Sequence, residues 1–127
     1  MELRLVLTVD DFDQALAFYR DSLGLPELAV WESPGDARVV LLDAGRATLE
    51  LVNEAQAAFI DDIEVGERVA GPVRVAFEVA DSEATATTLI AAGADRLGGP
   101  VTTPWNDRNV RLRAPDGVQL TLFTVVD

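Results

Sequence analysis

The chain has 127 residues, 49% of them hydrophobic, with 10 Lys and Arg against 22 Asp and Glu, a formal net charge of −12, no Cys and no His. That length suits one domain with a real core, while the missing thiols and imidazoles exclude disulfides, thiolate or histidine metal sites, cysteine nucleophiles and histidine bases. So acidic a chain lacks the dense basic face that a nucleic-acid backbone or an anionic membrane surface requires, and neither is expected as a partner.

Taken in chain order, Leu3–Val9 alternates and predicts a strand, with Leu3, Leu5, Leu7 and Val9 in a core and Arg4 on the opposite face. Asp11 is placed to cap a helix with the apolar stripe Phe12, Ala15, Leu16, Tyr19 and Leu23, stopped by Gly24. Tyr19 is therefore expected in the core rather than at a catalytic centre. Strands follow over about 27–33, 37–43 and 46–53, separated by the Pro34-Gly35 and Ala44-Gly45 turns. Residues 54–71, with Asp61, Asp62, Glu64 and Glu67, read as a solvated connector or short helix without chemistry. The plan then returns: a strand over 73–79, a cap at Asp81, a helix from Ser82 to about Ala92 stopped by Gly93, and strands near 95–102, 107–114 and 118–125. No basic and apolar leader precedes the first strand and no apolar run reaches 18 residues, so a cytoplasmic protein without a membrane span is expected.

The two halves are copies of one plan. Residues 3–9 lie over 73–79 at an offset of 70, which superposes Arg4 on Arg74; Asp11 falls on Asp81 and Arg38 on Arg108, and the closing strands match at 71, Glu50 over Thr121. The expected fold is α+β: one domain, 1–127, of two tandem βαβββ modules (about 1–53 and 72–127, joined by 54–71) related by a pseudo-twofold. Their curved sheets pair around a cleft.

With that repeat, Val9, Asp11, Ala15, Phe18-Tyr19 and Leu23-Gly24 in the first module, and Thr103-Pro104-Trp105, Arg108 and Pro115-Asp116-Gly117 in the second, make the chain resemble the vicinal oxygen chelate superfamily. That group includes glyoxalase, bleomycin-resistance proteins and extradiol dioxygenases. The resemblance implies a homodimer, and metal ligands on the first and fourth strands of each module. The matching positions are Arg4, Glu50, Arg74 and Thr121. A guanidinium offers no lone pair, so only Glu50 suits a metal, and neither metal nor other cofactor is expected.

The repeat by itself turns Arg4 and Arg74 into the cleft, with Glu50 and Thr121 on the same face. Two guanidinium groups near one carboxylate leave a positive charge that something must compensate. In one reading Glu78 joins Glu50 in an internal ion-pair network. In the other, a carboxylate, phenolate or enolate oxygen of a small molecule binds the arginines. Trp105, at the mouth of the cleft, is expected to touch a flat ligand, and Trp31 to pack at an interface. Arg108, Arg111 and Arg113 read as salt-bridge partners.

The leading expectation is a metal-independent binder of a partly planar, anionic small molecule, using Arg4, Glu50, Arg74, Trp105 and Thr121, of the kind that sequesters antibiotics or toxic metabolites. The alternative is a lyase, isomerase or dioxygenase-type enzyme with the arginines as electrophiles and Glu50 as base. It ranks lower because two guanidinium groups should hold Glu50 ionised and weakly basic. A third reading is an interaction module with a filled cleft.

Overall fold

A computed structural model describes residues 1–126. The elements follow the expected order: β1 (Leu3–Val9), α1 (Phe12–Leu16), β2 (Glu27–Ser33), β3 (Ala37–Asp43), β4 (Thr48–Asn53), α2 (Glu54–Glu64), β5 (Val73–Glu78), α3 (Ser82–Ala91), β6 (Asp95–Thr102), β7 (Asp107–Arg113) and β8 (Gln119–Val125). Asp11 and Asp81 cap α1 and α3, accepting from the backbone N–H of Gln14 and Ala84 at 3.0 Å each. Gly24 and Gly93 end the helical segments at φ of 87° and 113°, a conformation that favours glycine. The first helix differs from expectation in its winding. Beyond Leu16 it widens into π-helical turns over Ala17–Ser22, and the N–H of Leu23 donates five residues back to Phe18.

All eight strands form one sheet in the order β2-β3-β4-β1-β5-β8-β7-β6. β1 runs parallel to β4 and β5 parallel to β8, while β1 and β5 meet antiparallel with Leu5 opposite Val75. Those two residues are mates in the 70-residue repeat, so the pseudo-twofold axis passes between them. The modules thus continue one another's hydrogen bonding in a single curved, open sheet.

On the outer face α1 packs Phe12 and Leu16 against Val40, Leu42, Leu49 and Leu51, and α3 packs Ala86 against Val110, Leu112 and Leu122. The β1/β5 pair lies between these clusters and is only partly covered, with Leu7 and Val9 packed against the first and Phe77 against the second. Leu3 and Leu5, expected in a core, are 37% and 36% exposed. The inner face is the better buried one, because α2 lies across it and sets Ala57 and Ile60 against Val6, Val39, Val52, Ala76 and Phe123.

That helix corrects the reading of 54–71 as solvated. Its inward stripe carries charges, which hid it from an apolar count. Asp61 and Glu64 are both buried, and both face the fully buried Arg111 of β7. Arg111 Nη1 donates to Asp61 Oδ1 at 2.8 Å and to Gln119 Oε1 at 3.1 Å, and its Nε donates to Glu64 Oε1 at 3.2 Å. The other oxygen of Asp61 accepts from the N–H groups of Val69 and Ala70, at 2.8 Å each, and from Arg68, which folds the segment after α2 back onto the helix. At its C-terminal end α2 meets backbone directly: a Cβ placed on Gly98 would stand 2.0 Å from the carbonyl oxygen of Glu64. Among the described residues no helix is long and apolar enough to cross a membrane.

Removing one partner of a buried charge cluster leaves the others unpaired. Arg111→Ala should therefore lower unfolding stability by about 3–5 kcal/mol in urea titration. Gly98→Ala should cost about 1–3 kcal/mol in the same assay, because the end of α2 must move to make room.

Candidate active-site cleft

The four central strands bring the predicted residues together. Arg4 on β1, Glu50 on β4, Arg74 on β5 and Thr121 on β8 line one deep recess of about 50 Å³, bounded also by Glu64 and Asn109. This volume accommodates a carboxylate group or about three or four waters. The recess adjoins an outer cleft of about 440 Å³, and Arg4, Glu50, Ile60, Trp105 and Asp107 line both. Trp105 belongs to the turn before β7, as expected of a residue at the mouth. Trp31 does not pack at an interface within the chain; it stands on edge strand β2, 47% exposed, and forms part of the wall of the outer cleft.

The two arginines are sequence mates with unequal surroundings. Arg4 Nε binds Glu2 Oε2 at 2.5 Å, Nη1 stands 3.7 Å from Glu50 Oε1, and the guanidinium lies 4.7 Å from the centre of the Phe123 ring. Glu2 Oε2 also accepts from the Thr48 hydroxyl at 3.0 Å. Arg74 is only 6% exposed. Its Nη1 donates to Thr121 Oγ1 at 2.6 Å, and among the described residues its nearest carboxylate oxygen is Glu50 Oε2 at 4.0 Å from Nη2. Glu50 thus lies between two cations at distances too long for a hydrogen bond to either.

Glu2 takes the place that sequence reading gave to Glu78, which forms no ion pair among the described residues. Arg108 pairs with Glu83 at 3.1 Å on the surface, and Arg111 is buried behind the recess in the α2 cluster rather than in the cleft. Sequence reading missed Glu2, Glu64, Asn109 and Asp107. Glu2 was within reach, since it is two residues before Arg4 and so on the same side of the strand.

The electrostatics overturn one expectation. Burial pushes the Glu50 carboxyl above its ordinary range and outweighs the opposing pull of Arg74 and Arg4. At 3.7 and 4.0 Å without hydrogen bonds, the guanidinium groups do not replace the lost water. Asp107 is likewise pushed up by burial, against the pull of Arg4. Arg74 is drawn below its ordinary value by burial and by Arg111, with Glu64 and Glu50 acting the other way.

The strand positions that hold a metal in related folds do not fit one here. They present two cationic donors, one carboxylate flanked by both, and a hydroxyl already taken by Arg74.

An α+β chain whose paired βαβββ modules curve around a polar recess has the concave architecture in which small-molecule sites commonly lie. More particularly, residues 3–122 match the model of the glyoxalase/bleomycin resistance protein/dioxygenase superfamily, and the chain belongs to that superfamily. Among curated proteins none matches the chain. Solved structures of the same fold include a hypothetical protein from Bacillus halodurans (20% identity, 98% of this chain and 93% of that one, TM-score 0.72). Two methylmalonyl-CoA epimerases also share it. The enzyme from Mycobacterium tuberculosis has 21% identity, coverage of 98% and 87%, and a TM-score of 0.68. A variant of the Streptomyces coelicolor enzyme in complex with 2-nitronate-propionyl-CoA has 24% identity, coverage of 98% and 96%, and a TM-score of 0.66.

A carboxyl with a raised folded pKa stabilises fully below its unfolded value, near 4.5, and that contribution is lost as pH rises through the folded pKa. Above about pH 4.5, where carboxylates lowered by their partners, such as Glu2 and Asp61, no longer change the balance, urea midpoints should therefore fall with rising pH, by at most ~1.4 kcal/mol per pH unit for each group. Glu50→Gln should flatten the profile and leave the share of Asp107.

Proposed function

We propose that the cleft binds a small organic anion without a metal, seating its anionic oxygens on Arg74 and Arg4 and its larger, partly planar body in the outer cleft between Trp31 and Trp105. Capture of an antibiotic or toxic metabolite is the role this reading favours. The observation that carries it is Arg74: a buried guanidinium on the wall of a recess, with one hydrogen bond and, among the described residues, no carboxylate nearer than 4.0 Å. Such a group gains most from a charged acceptor that arrives with suitable geometry. The outer cleft has the volume usual for small-molecule sites, and Trp31, Pro104, Val39 and Val125 give it an apolar lining.

A second reading, an isomerase or lyase that moves a proton, is favoured by the raised Glu50 carboxyl. A base poised nearer neutrality suits proton transfer, and the arginines would stabilise the oxyanion that forms. The epimerases that share the fold are consistent with it. Turnover that survives dialysis against chelator and vanishes in Glu50→Gln is its signature.

The two Trp residues of the chain both line the outer cleft, so intrinsic fluorescence reports directly on occupancy. A planar aromatic carboxylate such as 1-naphthoate should quench it saturably, with and without chelator. Arg74→Ala should weaken that binding by about ten- to 150-fold, the range of a hydrogen bond to a charged group. Unchanged affinity in that variant would rule out the assigned role.

A further inference from the structure

Glu50 stands where the carboxylate of a ligand would stand. It lies between the two guanidinium groups at the floor of the recess and is 9% exposed. The charged groups around it come from four elements besides its own strand: Glu2 with Arg4 at the start of β1, Arg74 on β5, Glu64 on α2 and Asp107 on β7. Leu41, its neighbour across β3, carries no charge. Two of these carboxylates are already committed. Glu2 holds Arg4 Nε and the Thr48 hydroxyl, and Glu64 holds Arg111 and the amide of Asn109. What remains for an incoming anion is Arg74 and the outer nitrogens of Arg4, and Glu50 already shares both.

An organic anion seated on those nitrogens would come within a few ångströms of the Glu50 carboxylate in a site largely shielded from water. Because Glu2 already neutralises Arg4, Glu50 and the ligand would share the one remaining charge of Arg74, and keeping both ionised would leave an excess negative charge in the recess. The less costly arrangement puts a proton on one of them, and the neutral acid can then donate its O–H to the ligand oxygen.

We propose that Glu50 is a built-in counterion that balances the Arg4–Arg74 pair in the absence of a ligand and takes up one proton from solvent when a ligand carboxylate replaces it. The cleft therefore binds an organic monoanion together with a proton. Charge balances: ionised Glu50, one proton and the anion become neutral Glu50 and the anion on the arginines. The upward push of burial on Glu50 shows that part of the cost of protonation is already met. This inference rests on the anion-binding reading above and adds its proton stoichiometry and pH dependence.

The test follows 1-naphthoate binding by Trp fluorescence and by calorimetry in two buffers of different ionisation heat, between about pH 5.5 and 9, where the probe stays ionised. In the wild type, affinity should fall as pH rises, by up to about tenfold per unit, with proton uptake approaching one. Glu50→Gln should lose that dependence and bind at least about tenfold tighter than the wild type at the alkaline end. Asp107→Asn, at a residue that lines both spaces, should change the absolute affinity but retain the fall with rising pH and the proton uptake. Identical profiles for the wild type and Glu50→Gln, or a profile abolished by Asp107→Asn instead, would overturn the proposal and leave the anion-binding reading standing. Absence of saturable binding in every protein at every pH would overturn both. If Glu50→Gln does not fold, the proton count of the wild type decides, and a count of zero is fatal.

Discussion

The structure depends on one buried charge cluster. Arg111 on β7 draws Asp61 and Glu64 of α2 onto the inner face of the sheet, and α2 then covers what would otherwise be an open hollow. The cluster reaches both modules, since α2 follows β4 directly through its Asn53 cap while β7 belongs to the second half. A helix held by charge rather than by an apolar stripe alone is sensitive to partner loss, but its position is well defined, because each carboxylate has several donors at fixed angles.

The chemistry of the cleft follows from that cover. With α2 in place, Glu50, Arg74 and Thr121 are withdrawn from water, and the space between them shrinks to the size of a functional group. Electrostatic effects grow as water leaves, so the same pair of guanidinium groups acts on its neighbours more strongly here than it would on the surface. The acidic surface does not contradict this. A net charge of −12 is spread over the whole chain, whereas affinity is decided by the few groups within several ångströms.

Much of this was legible in the sequence. Alternation in Leu3–Val9 and its copy 70 residues on marks the strands, and the Arg-on-Arg match points to the residues that lie at the cleft floor. Arg4, Glu50, Arg74, Thr121 and Trp105 do line one continuous space. Which face of β1 lies deeper was not legible, because that depends on where three helices lie, and the one on the inner face has a charged stripe that looks solvated until Arg111 is known to be opposite. The state of Glu50 was misjudged for a related reason. Counting neighbouring cations predicts a carboxyl drawn below its ordinary range, but the direction turns on distance and dehydration, which only the fold supplies.

The duplicated plan is not carried through to the cleft floor. Arg4 and Arg74 are repeat mates, yet one is tied to Glu2 and rests on Phe123 while the other is tied to Thr121, and the mate of Glu50 is that same uncharged Thr121. A perfectly twofold hollow would admit a guest in either of two directions with equal ease. This one has a distinguishable left and right, so the two ends of any molecule placed in it, and the two sides of a prochiral carbon, would meet different surroundings.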